Sequence, residues 1–107
     1  MPLSVCLTPP GNVAPVADAG EDQTAGSRQR VYLDGRASND PDGQIVRYHW
    51  TQSAGSAVSI RNADSDLADF TAPRVRRGAA QTLVFQLEVT DNRDATAVDR
   101  VTIQVTR

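Results

Sequence analysis

Apolar and polar residues alternate one by one in two long stretches near the end of the chain. In TLVFQLEVTDN, residues 82–92, one side is apolar from Leu83 to Val89, and the other side carries Gln86 and Glu88. DRVTIQVT, residues 99–106, repeats this alternation with threonines and a glutamine opposite the apolar side. A period of two residues is typical of a β-strand that turns one face towards a core. Both stretches are therefore predicted to be strands.

The stretch QIVRYHWTQ, residues 44–52, shows the same alternation and contains the only tryptophan. Val46, Tyr48 and Trp50 share one side, whereas His49 lies on the other. Because the shared side is apolar and aromatic, Trp50 is predicted to lie in the core between two sheets. Its expected neighbours are Val46, Tyr48, Phe85 and Leu87. Tyr32 has the opposite phase to its apolar neighbours, so it is the aromatic side chain expected at the surface.

Four shorter stretches complete the strand pattern. They are PVADAGEDQTAG (15–26), RVYLDG (30–35), AVSIRNA (57–63) and LADFTAP (67–73). Of the 13 acidic residues 11 are aspartate, which prefers turns and caps to helix interiors. No stretch has a convincing helical period, and polar turn residues separate the seven predicted strands. The sequence therefore predicts an all-β fold, an antiparallel β-sandwich of about seven strands.

The length of 107 residues suits one domain with one modest core. Residues 1–11 contain two adjacent prolines and no clear period, so we predict a linker or leader there and a folded domain over residues 12–107. Cys6 is the only cysteine, which excludes an internal disulfide. Five residues precede it, too few for the apolar region of a lipoprotein signal. No stretch is apolar enough to span a membrane, and we expect no membrane insertion.

The charged residues exclude several classes of function. A formal net charge of -2 is too small to steer the chain to nucleic acid or to an anionic membrane. Arg74, Arg76 and Arg77 form a short basic group, which we interpret as part of a solvated loop. The absence of lysine excludes Schiff-base chemistry. Since His49 and Cys6 lie far apart in the sequence, they suggest neither a zinc site nor a catalytic pair, and we expect no enzyme activity.

The segment NDPDG, residues 39–43, places Asp40 and Asp42 directly before the tryptophan strand. It does not match an EF-hand, because that loop needs its glycine at position 6, and Gly43 stands at position 4 counted from Asp40. Asp91 follows the sixth predicted strand. In a sandwich of this kind the loops before the third strand and after the sixth share one end. Asn12 would stand at that end, where the linker meets the first strand.

Together these residues offer oxygen ligands of the kind that Ca²⁺ prefers. Three carboxylates and one amide oxygen, completed by backbone carbonyls and water, would make a shell of six or seven oxygens. The candidate ligands are Asn12, Asp40, Asp42 and Asp91. The alternative is that NDPDG is simply a turn, and the pattern leaves both interpretations open. A catalytic carboxylate pair is disfavoured, because aspartates flanked by proline and glycine in a loop are well solvated.

Four blocks of sequence carry a resemblance to a known family. They are APVADAGEDQT, VYLDGRASNDPDGQIVRYHWTQ, ADFTAP and LVFQLEVTDN…ATAVDRVTIQV. In this order and spacing they resemble the PKD domain family, of the kind called PKD-like or REJ-like, over residues 12–107. Arg36 departs from the serine of many members, and Arg93 and Asp94 stand where many have glycine, but these departures fall in loops. The resemblance implies an immunoglobulin-like sandwich with calcium ligands, in some members, at the four candidate positions.

The resemblance also implies a function. Members are extracellular modules of cell-surface proteins and of secreted bacterial enzymes. The leading hypothesis is a non-catalytic accessory module that spaces or orients the neighbouring domains of a larger protein and is stiffened by Ca²⁺. The rival is a module that binds polysaccharide, collagen or another surface protein. We expect an extracellular, secreted or cell-surface location and a monomeric domain, and the lysine-free composition suggests a bacterial source.

Overall fold

The computed structural model describes residues 13–76 and 80–107, and these residues form six β-strands. The strands are β1 Gln23–Gly26, β2 Arg30–Asp34, β3 Ile45–Ala54, β4 Leu67–Thr71, β5 Gln81–Asp91 and β6 Thr96–Thr106. The predicted all-β fold is confirmed, with six strands in place of about seven. None of the described residues belongs to a helix that could cross a membrane. The predicted linker at residues 1–11 lies outside the described residues.

Two sheets build the sandwich. The larger sheet has the order β1-β6-β5-β3, and the smaller one pairs β2 with β4. The pairs β3–β5, β5–β6 and β2–β4 are antiparallel, whereas β1 runs parallel to the end of β6, with Gln23 opposite Ile103. The longest strands, β5 and β6, pair with each other from Gln81 opposite Val105 to Thr90 opposite Thr96, and so connect the two ends of the larger sheet.

The core lies between the sheets and is built from the predicted apolar faces. Phe70 on β4 contacts Phe85 on β5, with ring centroids 4.6 Å apart. Trp50 is 1 % exposed and its indole Nε1 donates a hydrogen bond of 3.0 Å to the carbonyl of Ser65. Its predicted core position is confirmed, as is the surface position of Tyr32, which is 51 % exposed.

The predicted strand AVSIRNA is absent as a strand. Only Arg61 pairs with β4, through an isolated bridge. Its amide donates to the Asp69 carbonyl at 2.7 Å, and its carbonyl accepts from the Asp69 amide at 3.1 Å. At the next residue, Asn62, φ is 60°, and the chain turns away before a ladder can extend. Val58 and Ile60 still pack against the core. The apolar alternation over residues 57–63 therefore predicts correctly which side chains pack against the core, but it wrongly predicts a paired strand.

Val46 corrects the predicted core face of β3. Its side chain is 60 % exposed, although it has the same parity as the buried Trp50. The register shifts between Ile45, opposite Asp91, and Arg47, opposite Thr90, which marks a β-bulge. Because a bulge adds one residue on one strand, the side chains before it change face. Ile45 therefore packs against the core in place of Val46.

Candidate functional site

Asp40, Asp42 and Asp91 lie at one end of the sandwich. Asp40 and Asp42 belong to the connection between β2 and β3, and Asp91 is the last residue of β5. The first residue of β3, Ile45, is opposite Asp91 in the sheet register. The amide of Asn92 donates to the carbonyl of Gln44 at 3.0 Å, which joins the two connections. The predicted proximity of the two loops is thus present in the structure. Asn12 lies outside the described residues.

The DPDG segment is a turn organised by its own first aspartate. The amide of Asp42 donates to Asp40 Oδ1 at 3.3 Å, and the amide of Gly43 donates to the Asp40 carbonyl at 3.4 Å. This is the local hydrogen bonding through which aspartate stabilises turns. Gly43 lies close to the Asn92 side chain, and a Cβ there would lie 2.5 Å from Asn92 Oδ1 unless that side chain moved. The turn interpretation and the site interpretation therefore use the same residues.

Asp91 is buried, with 1 % of its surface exposed, rather than placed in an open loop as expected. Its Oδ1 accepts hydrogen bonds from the amides of Arg93 at 2.8 Å and Ala95 at 2.9 Å. Its own amide donates to the Ala95 carbonyl at 2.9 Å. One carboxylate oxygen of Asp91 thus holds the tight connection between β5 and β6 in place.

Two buried carboxylate oxygens at this end, Asp40 Oδ2 and Asp91 Oδ2, have no hydrogen-bond partner among the described residues. An unpaired polar atom in the interior is unfavourable, so each such atom calls for a physical reason. Loss of hydration raises the pKa of Asp40. The hydrogen bond from the Asp42 amide lowers this pKa, whereas the negative charges of Asp42 and Asp91 raise it further. The three carboxylates therefore influence one another electrostatically.

As they stand, the acidic side chains do not form a complete metal-ligand cluster. Within residues 13–76 and 80–107, no three His, Cys, Asp or Glu side chains converge closely enough to hold a metal ion. Asp42 instead accepts a hydrogen bond through Oδ2 from the amide of Val13 at 2.7 Å. Asp42 thereby attaches the residue that follows Asn12 to the loop.

A second set of contacts, not foreseen from the sequence, fastens the rest of the leading segment, which we define as residues 13–22. Val16 and Asn39 exchange two backbone hydrogen bonds, of 2.7 and 3.0 Å. Asp99 Oδ2 accepts from the amide of Ala19 at 2.8 Å, and Asp22 Oδ1 accepts from the amide of Thr102 at 3.0 Å. These partners lie about eighty residues apart in the sequence, and no local pattern indicates such pairs.

Comparison with known proteins agrees with this architecture. The family model described as "K319L-like, PKD domain" matches residues 19–105. The mouse protein named dyslexia-associated protein KIAA0319-like protein is 35 % identical over 105 residues, which cover 96 % of this chain and 9 % of that protein. The human dyslexia-associated protein KIAA0319 is 34 % identical over the same shares. The chain thus spans about a tenth of the length of these relatives, and their mammalian origin gives no support to a bacterial source.

Solved structures give the same picture. The PKD domain from the KIAA 1837 protein has a TM-score of 0.72 and 32 % identity, covering 92 % of both chains. A nucleoside hydrolase-related protein from Saccharophagus degradans reaches a TM-score of 0.74 at 28 % identity, covering 89 % of this chain and 26 % of its own. A structure of carbohydrate-binding modules from the β-sandwich superfamily has a TM-score of 0.56 at 28 % identity, covering 91 % and 36 %.

Proposed function

Because the chain belongs to the PKD domain family, in its K319L-like branch, we propose that it is a non-catalytic extracellular module that fixes the orientation of a neighbouring domain in a larger protein. PKD domains are modules of larger proteins, and the relatives above are about ten times longer than the matched segment. The proposal therefore concerns what this module contributes to its neighbours.

One observation carries this proposal: the leading segment is attached to the body of the sandwich along its length. Asp42 binds the amide of Val13, Asn39 pairs with Val16, and Asp99 binds the amide of Ala19. A preceding domain would reach the body through this segment. Attachment at three successive points limits the directions in which such a domain can extend.

We further propose that Ca²⁺ stiffens this connection, with Asn12, Asp40, Asp42 and Asp91 as ligands. The unpaired buried oxygens of Asp40 and Asp91 support this, because a hard cation takes oxygen ligands and would satisfy both atoms. It would also neutralise three carboxylates that repel one another. The ligands would have to move closer together than they are without the ion, and Asp42 already contacts the residue beside Asn12.

Thermal unfolding tests the calcium site. Wild type should melt at a higher temperature in millimolar CaCl₂ than in EGTA, since extracellular modules bind Ca²⁺ with Kd of roughly 10⁻⁴–10⁻³ M. At about 5 mM CaCl₂ this range of Kd would add about 1–2.3 kcal/mol to the free energy of unfolding, from RT ln(1 + [L]/Kd). The shift should vanish in Asp40→Asn and remain in Asp64→Asn, an exposed aspartate elsewhere. An equal shift with MgCl₂, or none with CaCl₂, would exclude a calcium-specific site.

Distance measurement tests the orienting role separately. One spin label is placed on Ala14→Cys in the leading segment and a second on Glu88→Cys on β5, both exposed positions, in a Cys6→Ser background that is otherwise wild type. Wild type should give a narrow distance distribution, and the double variant Asp42→Ala/Asp99→Ala a broad one. A broad distribution in wild type at every calcium concentration would refute the orienting role. A narrow distribution whose width does not change with calcium concentration would refute only the stiffening by Ca²⁺.

The rival function, a carbohydrate-binding module, is favoured by the likeness to carbohydrate-binding modules of the β-sandwich superfamily. Such modules stack sugar rings on exposed aromatic side chains. Trp50, Phe70 and Phe85 are buried, and Tyr48 is half-buried, so Tyr32 alone presents an exposed ring. Retention on insoluble chitin or cellulose, lost in Tyr32→Ala, would favour this rival over the orienting module.

A further inference from the structure

Four arginines surround an open cleft at the end of the sandwich opposite the acidic loops. The cleft has a volume of about 710 Å³ and is lined by Ser27, Arg28, Arg74, Val75, Arg76 and Arg107. It lies where β1 and β6 finish, whereas Asp91 marks the far end of β5. The 11 residues of β5 put roughly 33 Å between the two ends, at about 3.3 Å per residue.

Two hydrogen bonds join the connection that carries Arg28 to the segment that carries Arg74 and Arg76. The hydroxyl of Ser27 accepts a hydrogen bond from the amide of Val75 at 2.9 Å, and the amide of Arg28 donates to the Pro73 carbonyl at 3.4 Å. Val75 is 4 % exposed and anchors its segment in the core. Because neighbouring residues of an extended segment point to opposite sides, Arg74 and Arg76 face outward on either side of this anchor.

These four charges have no ion-pair partner among the carboxylates of the described residues. By contrast, Arg36 pairs with Asp34, and Arg61 pairs with Asp69, both at 2.9 Å. An unpaired cluster of four cations is unexpected in a chain whose net charge is -2. Four like charges that line one cleft give it a positive potential, which attracts anions.

The backbone conformation of Arg28 gives a second, independent indication that this cleft has a function. Its φ is 63°, a region that residues other than glycine, asparagine and aspartate rarely adopt. The turn between β1 and β2 would therefore be easier to form with one of those three residues. An arginine at this position, beside three other arginines, supports a role for its side chain rather than for the turn.

We propose that this cleft binds the anionic groups of an acidic extracellular glycan, the sulfates or uronate carboxylates of its sugar units. Arginine suits such groups, because its planar guanidinium donates two parallel hydrogen bonds to one oxyanion. The lining holds no aromatic side chain, so it offers no stacking surface for neutral sugar rings or for nucleobases. The choice of a glycan rests on the extracellular location in the proposed function, but the cleft is independent of the calcium site.

Binding of fluorescein-labelled dextran sulfate and of polygalacturonate, measured by anisotropy in EGTA, tests this. Arg74→Gln/Arg76→Gln should weaken binding at least about tenfold. The slope of log Kd against log salt concentration should also fall by an amount that corresponds to about two lost ionic contacts. The matched control Arg47→Gln/Arg100→Gln removes the same charge from exposed positions on β3 and β6. It should bind like wild type, and unlabelled neutral dextran should not compete.

Arg28→Asn separates a binding role from a structural one. Asparagine tolerates the positive φ, so this variant should melt no lower than wild type while binding the polyanions several times more weakly. Unchanged binding in Arg28→Asn and Arg74→Gln/Arg76→Gln would overturn the proposal, as would an equal loss in the control variant. Self-association of wild type at low salt that Arg74→Gln/Arg76→Gln abolishes, without polyanion binding, would assign the cleft to a second copy instead.

Discussion

The amide of Val13 donates a 2.7 Å hydrogen bond to Oδ2 of Asp42, twenty-nine residues further along the chain. This bond joins the start of the described chain to the turn before β3. It is exposed to solvent, so its contribution to the free energy of unfolding is small.

Replacing Asp42 by alanine is therefore expected to free Val13 without unfolding the domain. The amide of Val13 should exchange with solvent faster, while the free energy of unfolding should fall by less than about 1 kcal/mol. Hydrogen exchange followed by NMR gives the first quantity, and urea unfolding gives the second. Unchanged protection of Val13 in Asp42→Ala would show that other contacts hold the leading segment.

Removal of the indole of Trp50 should have a large effect, because the side chain is fully buried and donates to the Ser65 carbonyl. We expect Trp50→Ala to lower the free energy of unfolding by about 3–5 kcal/mol. Tyr32→Ala, at an exposed position, is the control and should cost under about 0.5 kcal/mol. Urea unfolding measures both. Tryptophan emission typical of water in the folded wild type would contradict the buried position.

Two glycines should respond differently to the same substitution. A Cβ at Gly55 would lie 2.6 Å from the backbone oxygen of Thr82, and φ there is 100°, so neither the contact nor the strain can relax. A Cβ at Gly43 would meet the end of the Asn92 side chain, which can move. Gly55→Ala should therefore cost at least about 2 kcal/mol, and Gly43→Ala about 1 kcal/mol. Recovery of stability in Gly43→Ala/Asn92→Ala would identify Asn92 as the group displaced.

The raised pKa of Asp40 predicts a pH dependence with a definite sign. When the folded-state pKa lies above the unfolded value, the stabilising contribution is complete at low pH and is lost as pH rises through the folded pKa. In EGTA, Asp40→Asn should therefore melt above wild type at neutral pH. The difference should shrink towards about pH 3, where both proteins carry a neutral side chain. A variant that melts below wild type at neutral pH would mean that the ionised carboxylate is stabilising.

The fold was largely predictable, because the alternation over residues 82–92 and 99–106 is long and continuous. Two local features cannot be predicted from the alternation of apolar and polar residues. The bulge that exposes Val46 inserts one residue into the pairing with β5, and parity cannot reveal an insertion. At Arg61 the pattern reported burial correctly, but the turn at Asn62 prevents pairing beyond one bridge.

For the candidate site, the sequence predicts which residues lie near one another but not the contacts that they make. Loop positions placed Asp40, Asp42 and Asp91 at one end, and the structure agrees. The sequence could not show that Asp91 is buried and holds the connection between β5 and β6 through one oxygen. Nor could it show the bond between Asp99 and Ala19, since such contacts depend on how distant strands meet. The basic group at Arg74 and Arg76 became informative only when the fold added Arg28 and Arg107.

The parallel pairing of β1 with β6 has a mechanical consequence. Their ladder runs from Gln23 opposite Ile103 to Gly26 opposite Thr106, and the two strands point the same way. If the module is stretched between the segment before β1 and the end of β6, these strands are pulled in opposite directions along their length. Such a load shears the hydrogen bonds of the ladder together, whereas an antiparallel pair pulled from one end opens one bond at a time. Under such a load the short ladder between β1 and β6 would therefore break as a unit.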